Sequence, residues 1–298
     1  MNLFDRLVLE AMKNKSELAP LRTVVEKELL HHDILREMGG AGFLDTLTFI
    51  GGTCLRACYG SHRLSEDLDF TGEKEFNRKT LRDLAAVLVD RLEAKYGLKV
   101  TVDSPRKETG NVDIWKMKVV TRPEQRAAAS QKINIDICMI PSYDRRPMML
   151  RNHYGVEMGT SGLIIQAQSR EEILADKLVA LALRANRLKN RDLWDIGWLK
   201  QQGVELPLAL LPNKIIDRHQ GTAEFVDLLN KRKVKLQRDP SLRHDFIEEM
   251  RRFLPVRIVE ETIEKEGFWA YLTSVVCAEG EQAIKSLVNN PEPFNFKI

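Results

Sequence analysis

The sequence predicts an α+β protein, with a mixed sheet domain over residues 1–168 and a helical domain over residues 169–298. Three observations carry this. Helical and strand-like segments are interleaved through the first half, a run of three strand patterns follows without an intervening helix, and helical spacing dominates from Ser169 onward.

The elements follow in order. "LRTVVEKELLHHDILREMGG" places Leu21, Val24, Val25, Leu29, Ile34 and Leu35 at helical spacing and stops at Gly39-Gly40, which predicts a helix ending near Met38. "LTFIGG" is a short apolar run broken by glycines, the pattern of a buried strand entering a turn. "TCLRACYG" predicts one or two helical turns opened by a Thr cap. "DLDFTG" predicts a second strand. "NRKTLRDLAAVLVDRLEAKYG" is an amphipathic helix capped by Asn77 and closed at Gly97. "LKVTVD", "VDIWKMKVV" and "KINIDICMI" then predict three strands, the last with strict alternation. After "GLIIQAQS", the stretch "REEILADKLVALALRANRLKNRDLWDIGWLKQQG" carries two helical patterns joined near Lys189 and Asn190. The tail "NNPEPFNFKI" is broken by proline and asparagine and predicts an extended end.

Bulk properties exclude several classes. The 298 residues, 43% hydrophobic, suffice for two ordinary domains. No segment approaches the roughly 18 consecutive apolar residues of a membrane span, and "MNLFDRLVLEAMKNKSE" carries acids inside its apolar run, so a secretion signal and a membrane partner are not expected and a cytoplasmic location is. Cys54, Cys58, Cys138 and Cys277 sit in apolar company without a CxxC pair, which predicts reduced core thiols. The net charge of +3 does not announce a nucleic-acid binder, but basic residues gather in "RANRLKNRD" and "NKRKVKLQR". With Arg243, Arg251, Arg252 and Arg257, the second stretch offers positive charge for an RNA backbone.

The chemistry concentrates in "FIGGTCLRACYGSHRLSEDLDF". On a strand, Asp67 and Asp69 share one face while Leu68 and Phe70 enter the core, and Ser65 joins the acids if the strand begins there. Converging carboxylates repel unless a cation sits between them, and a hard divalent ion, Mg²⁺ or Mn²⁺, suits them. Gly51 and Gly52 let backbone N–H groups approach a phosphate, and Thr53 opens a helix whose dipole favours the anion. In "KINIDICMI", Ile133, Ile135, Ile137 and Met139 take one face and Asn134, Asp136 and Cys138 the other, so Asp136 is a candidate third metal ligand. Arg63 is a further charged donor. No base is evident beside Ser65 to make it a nucleophile.

These residues carry a resemblance. "IGGTCL" followed by "RLSEDLDF" resembles the first motif of the nucleotidyltransferase superfamily with the DNA polymerase β type fold. Gly-Gly-Thr-x-Leu with Arg63-x-Ser65-x-Asp67-x-Asp69-Phe70 is similar to the AbiEii/AbiGii toxin branch, whose members include MenT-type toxins. "EEILADKLVALALRANRLKNRDLWDI" is similar to that family's later motif, with Lys177, Arg184, Arg191, Asp192 and Asp195 at the matching positions. The resemblance assigns Lys177 and Asp192 to the active site. Lys177 and Arg184, seven apart, lie near one side of their helix, and a lysine aimed at the nucleotide's phosphates would offset their charge. Asp192 would orient Lys177 or accept a proton from the attacking hydroxyl. Trp194 and Trp198 fit core packing better than base stacking.

The expectation is a Mg²⁺-dependent nucleotidyltransferase binding a nucleoside triphosphate in a cleft between the two domains. An acceptor hydroxyl attacks the α-phosphorus and pyrophosphate leaves. The resemblance implies a toxin of a toxin–antitoxin or phage-defence system, with a cognate antitoxin, the 3′ end of tRNA as acceptor, and a block of translation as the outcome. A small-molecule acceptor such as an aminoglycoside, a protein hydroxyl, and a noncatalytic RNA-binding role on the same scaffold stay open from the residues alone.

Overall fold

The structure, a computed structural model, describes residues 1–73, 76–105, 111–123, 130–184 and 188–289. The chain forms two compact units, Met1–Gln168 and Ser169–Ile298.

The first unit opens with α1 (Leu3–Asn14), capped by the Asn2 side chain on Asp5 N at 2.8 Å, and α2 (Arg22–Gly40). The acids of α1, Asp5 and Glu10, lie off its buried stripe of Phe4, Val8 and Ala11. Then come β1 (Thr48–Ile50), α3 (Gly51–Ala57), β2 (Leu68–Thr71), α4 (Leu84–Tyr96), β3 (Val100–Asp103), β4 (Val112–Val119), β5 (Gln131–Cys138), β6 (Arg145–Met149) and β7 (Ile164–Gln168). Among the described residues these strands make one mixed sheet in the order β3-β4-β5-β2-β1-β7-β6. β2 with β5 and β1 with β7 pair in parallel, and the other neighbours are antiparallel. The alternation read in "KINIDICMI" holds, with Ile133, Ile135 and Ile137 buried.

The middle of α2 is buried on nearly all sides, against α1, α4 and β5. A helix so placed is usually apolar, yet this one buries Glu26, Glu28, His31, His32 and Asp33. Each has a partner. Glu28 accepts from Arg56 Nε at 3.1 Å, from Ser65 N at 2.9 Å and from the Tyr154 hydroxyl. Asp33 pairs with Arg36 at 2.6 Å and accepts from the Tyr96 hydroxyl. His31 Nε2 donates to the Glu66 carbonyl at 3.0 Å. A buried charge without such partners would cost several kcal/mol.

This construction makes the fold acid-sensitive. Burial pulls His31 from 6.5 to about 4, against the raising effect of Glu28 and of its bond to Glu66. Burial and the nearby Arg56 charge likewise bring His153 to about 4. Both rings stay neutral in the fold while the unfolded chain protonates near 6.5, so their stabilisation is complete above that pH and is lost as pH falls toward 4. Burial alone would raise Glu28, but Arg56 and its hydrogen bonds hold it below its ordinary range, so its contribution is lost in the same direction. The unfolding free energy from urea titrations should fall steadily between about pH 6.5 and pH 4, by a few kcal/mol in total, and the midpoints with it. Constant midpoints across that window would show that the rings are not held neutral.

The second unit is helical: α5 (Arg170–Leu183), α6 (Asn190–Gln201), α7 (Leu211–Ile216), α8 (Thr222–Arg238), α9 (Ser241–Met250), the short α10 (Val256–Ile258) and α11 (Glu266–Asn289). Ser169 caps α5 by accepting from Glu172 N at 3.1 Å. Ile173, Leu174, Leu178, Leu181 and Ala182 form the buried stripe of α5, which packs on α6, α7 and α8. Trp194 and Trp198 are buried, and the Trp194 ring lies 5.9 Å from that of Phe268, as core packing requires. Residues 290–298, where the sequence predicts an extended tail, lie outside the described residues. No helix among the described residues is long and apolar enough to cross a membrane.

Candidate active site

In the first unit the sheet brings together residues distant in sequence. Antiparallel pairing sets Ile50 opposite Asp69, so the chain turns at Gly51 beside the Asp69 side chain. Parallel pairing sets Asp69 opposite Asp136 on β5, and residues paired in register project to the same face. Asp67 precedes β2, and its Oδ1 accepts from Asn134 N at 2.9 Å, so a side chain extends the β2–β5 ladder by one bond.

The sequence expects Asp67, Asp69 and Asp136 to share a divalent ion. Among the described residues no three His, Cys, Asp or Glu side chains stand as a metal-holding group. One Asp67 oxygen is engaged by the β5 backbone. The donors present still fit a divalent ion that arrives with its substrate. Mg²⁺ commonly takes one or two carboxylates and completes its octahedron with phosphate oxygens and water. The cradle beside Asp69 is also open only because Gly51 lacks a side chain: a Cβ there would lie 3.0 Å from Asp69 Oδ2.

Gly51 has φ +76, where an L side chain costs about 1–2 kcal/mol. Gly51→Ala should therefore lower the melting temperature by a few degrees. It should reduce catalysis more, about tenfold, because the Asp69 carboxylate must give way by a few tenths of an ångström. Parallel melting and turnover measurements test this; an unchanged rate would separate Gly51 from the site.

Thr53, Arg63 and Ser65 lie beneath this edge. The Thr53 hydroxyl is 2.7 Å from Ser65 Oγ and also bonds the Asp67 carbonyl. β2 begins at Leu68, so the strand does not reach back to Ser65, the condition for its sharing a face with the acids, and Asp67 too lies just before it. Ser65 sits buried with Thr53, its backbone N–H on Glu28. Arg63 is also buried and donates to the Leu64 carbonyl at 3.0 Å. These groups brace the segment leading to Asp67. Glu28 went unnoticed in the sequence, where the one available signal was an acid between the buried Val25 and Leu29 of α2.

In the second unit, Lys177 on α5 places Nζ 2.7 Å from Asp192 Oδ1 and 2.8 Å from Asp195 Oδ2, both on α6. Arg184 NH1 reaches Asp192 Oδ2 at 2.9 Å, so the seven-residue spacing does put the two cations on one side. Asp195 is fully buried and Asp192 nearly so. Burial alone would raise Asp192, but Lys177, Lys189 and Arg184 outweigh it and hold the carboxyl below its usual range. Burial pushes the Lys189 ammonium down, with Asp192 opposing. Of "RANRLKNRD", residues 185–187 lie outside the described residues.

Two lysines of the basic stretch on α8 have carboxylate partners. Lys231 pairs with Asp227 at 2.6 Å, and Lys233 is buried against Glu281. Farther on, Arg251 pairs with Glu248 and Glu264, and Arg257 with Glu261. Within the run, Lys231 and Lys233 thus find carboxylates on α8 itself and on α11, while Arg232 bonds the Arg184 carbonyl.

Comparison with known proteins adds to this geometry. A family model described as "Nucleotidyl transferase AbiEii toxin, Type IV TA system" matches residues 33–274. Among solved structures, MenT4, a nucleotidyltransferase toxin from Mycobacterium tuberculosis H37Rv, is similar at 17% identity with a TM-score of 0.54, covering 95% of this chain and 98% of that one. JHP933 from Helicobacter pylori is 16% identical with a TM-score of 0.47, covering 90% and 98%. At these identities the likeness to MenT4 speaks for the fold. No curated protein matches the chain.

Proposed function

From the premise that this chain belongs to the AbiEii family of nucleotidyl transferase toxins of type IV toxin–antitoxin systems, we propose that it transfers a nucleoside monophosphate from a nucleoside triphosphate to the 3′ end of tRNA. The transfer would block translation and would be countered by a cognate antitoxin. The observation that carries the reading is the register pairing of Asp69 with Asp136 beside the side-chain-free Gly51.

Asp69 and Asp136, with the outer oxygen of Asp67, would hold a divalent ion, Mg²⁺ or Mn²⁺. When bound, that ion supplies charge for the α-phosphate and the departing pyrophosphate. The first turn of α3, entered through Gly51 and Gly52, presents backbone N–H groups to a phosphate. Thr53, Arg63 and Ser65 serve that contact by bracing the segment from beneath. Lys177 and Arg184 offset the charge of the triphosphate. Both oxygens of Asp192 are engaged, by Lys177 and by Arg184, which supports its role as their orienting partner over that of proton acceptor. In the transfer itself, the acceptor oxygen forms a bond to the α-phosphorus, the bond from that phosphorus to the bridging oxygen breaks, and pyrophosphate departs.

The test is transfer from each α-labelled nucleoside triphosphate, with Mg²⁺, to deproteinised total RNA, beside an Asp67→Ala control. Label in the tRNA band with the wild type alone is the expected result. Folded protein that binds triphosphate yet labels no RNA would overturn the tRNA acceptor and direct the search to proteins and small molecules.

A further inference from the structure

The outer face of the β3-β4-β5 end of the sheet has an arrangement that the fold does not require. β4 alternates strictly: Asp113, Trp115, Met117 and Val119 are buried, while Val112, Ile114, Lys116 and Lys118 are exposed. On β5, Lys132 is exposed on the same face. The register sets Ile114 opposite Asp136, Lys116 opposite Asn134, and Lys118 directly opposite Lys132. Like charges directly opposite on a sheet destabilise it, and none of these three lysines has an ion pair among the described residues. The described acids of the face are Asp136 and Asp103, which stands opposite Lys116 on β3. This contrasts with α8, whose Lys231 and Lys233 pair with carboxylates.

We propose that this face is the track for the acceptor strand, a single-stranded RNA end that approaches Asp136 over Ile114 while Lys116, Lys118 and Lys132 neutralise its phosphodiesters. The inference rests on the nucleic-acid acceptor proposed above and adds the surface that holds it. Lys118 lies four positions along β4 from Ile114, about 13 Å of strand, enough for a short stretch of nucleotides. The exposed Val112 and Ile114 offer an apolar seat for a base next to the carboxylate, and beyond them three lysines face one carboxylate, Asp103 opposite Lys116. Charge complementarity favours a polyanion here over a protein partner.

The test is the triple variant Lys116→Gln/Lys118→Gln/Lys132→Gln in the full chain, which removes the charge and keeps the side-chain length. Fluorescence anisotropy with a short labelled single-stranded RNA bearing a free 3′ hydroxyl, repeated over a salt series, reads binding without catalysis. Binding should weaken about tenfold or more near physiological salt, and the slope of log affinity against log salt should flatten by about 2, close to 0.7 for each phosphate that is no longer neutralised. The Lys→Arg triple variant should retain both. The melting temperature should hold or rise, because the Lys118–Lys132 repulsion is gone, and stabilisation by Mg²⁺ and triphosphate should be unchanged. A single-stranded DNA of the same sequence, weakened equally, would show that the track reads phosphodiesters without regard to the 2′-hydroxyl. An unchanged RNA affinity and salt slope in the Gln variant would overturn the track even if the wild type transfers nucleotide to RNA. Lysine-dependent RNA binding by a protein that transfers nothing to RNA would uphold the track and reject the proposed acceptor chemistry. Label transferred to protein, with RNA binding indifferent to the lysines, would reject both.

Discussion

Asp69→Asn should abolish nucleotidyl transfer while leaving the fold at least as stable as the wild type. The substitution is nearly isosteric, and Asp69 lies beside a second carboxylate, Asp136, on the neighbouring strand. Like charges held together cost free energy, so neutralising one relieves repulsion. The catalytic loss should reach about a thousandfold, equivalent to about 4 kcal/mol, the scale of charge stabilisation that a bound divalent ion supplies in the transition state. Stability and activity should therefore move apart, which a structural acid would not do. The measurement pairs a urea titration with the labelled-nucleotide assay. A variant that melts early and loses activity in proportion would assign Asp69 to the fold.

Lys177→Met should have the largest effect on the second unit. Lys177 sits between Asp192 and Asp195, and its removal leaves Asp195, fully buried, without that cation. Breaking a buried pair from one side typically costs about 3 kcal/mol. The penalty should be worst at neutral pH and ease on acidification, as protonation removes the excess negative charge that the lysine had balanced. The double variant Lys177→Met/Asp195→Asn discriminates roles. It should recover most of the lost stability, because the stranded charge is gone, yet transfer should stay down, because no ammonium remains for the triphosphate. Recovery of both would make the lysine a structural residue.

The strands that build the candidate site were legible because their alternation is clean: Leu68 and Phe70 on β2, and Ile133, Ile135 and Ile137 on β5, are buried as read. The elements that escaped have physical reasons. β6 is an edge strand with Pro147 inside it and almost no buried side chain, so it carries no period. α1 looked like an interrupted apolar run, and its acids lie off the buried stripe of Phe4, Val8 and Ala11. Individual partners were beyond reach for a different reason. That Asp67 would spend an oxygen on Asn134 N, or that Glu28 would hold Ser65, depends on which strand lies beside which, and side-chain chemistry does not declare strand order. On α8, the buried Lys233 finds its carboxylate on the distant α11, a partner that the basic run does not declare.

The strand order also governs when the enzyme can exist during synthesis. β1 and β2, which carry the glycine turn and Asp69, emerge early, but their partners are β7 and β5, among the last strands of the unit to be made. Pairings so distant along the chain close slowly and late. A ribosome must deliver residues through Cys138 before Asp69 meets Asp136, and through Gln168 before β1 has both neighbours. A chain that stops before that point holds the glycine turn and Asp69 but lacks the strands that set them in place.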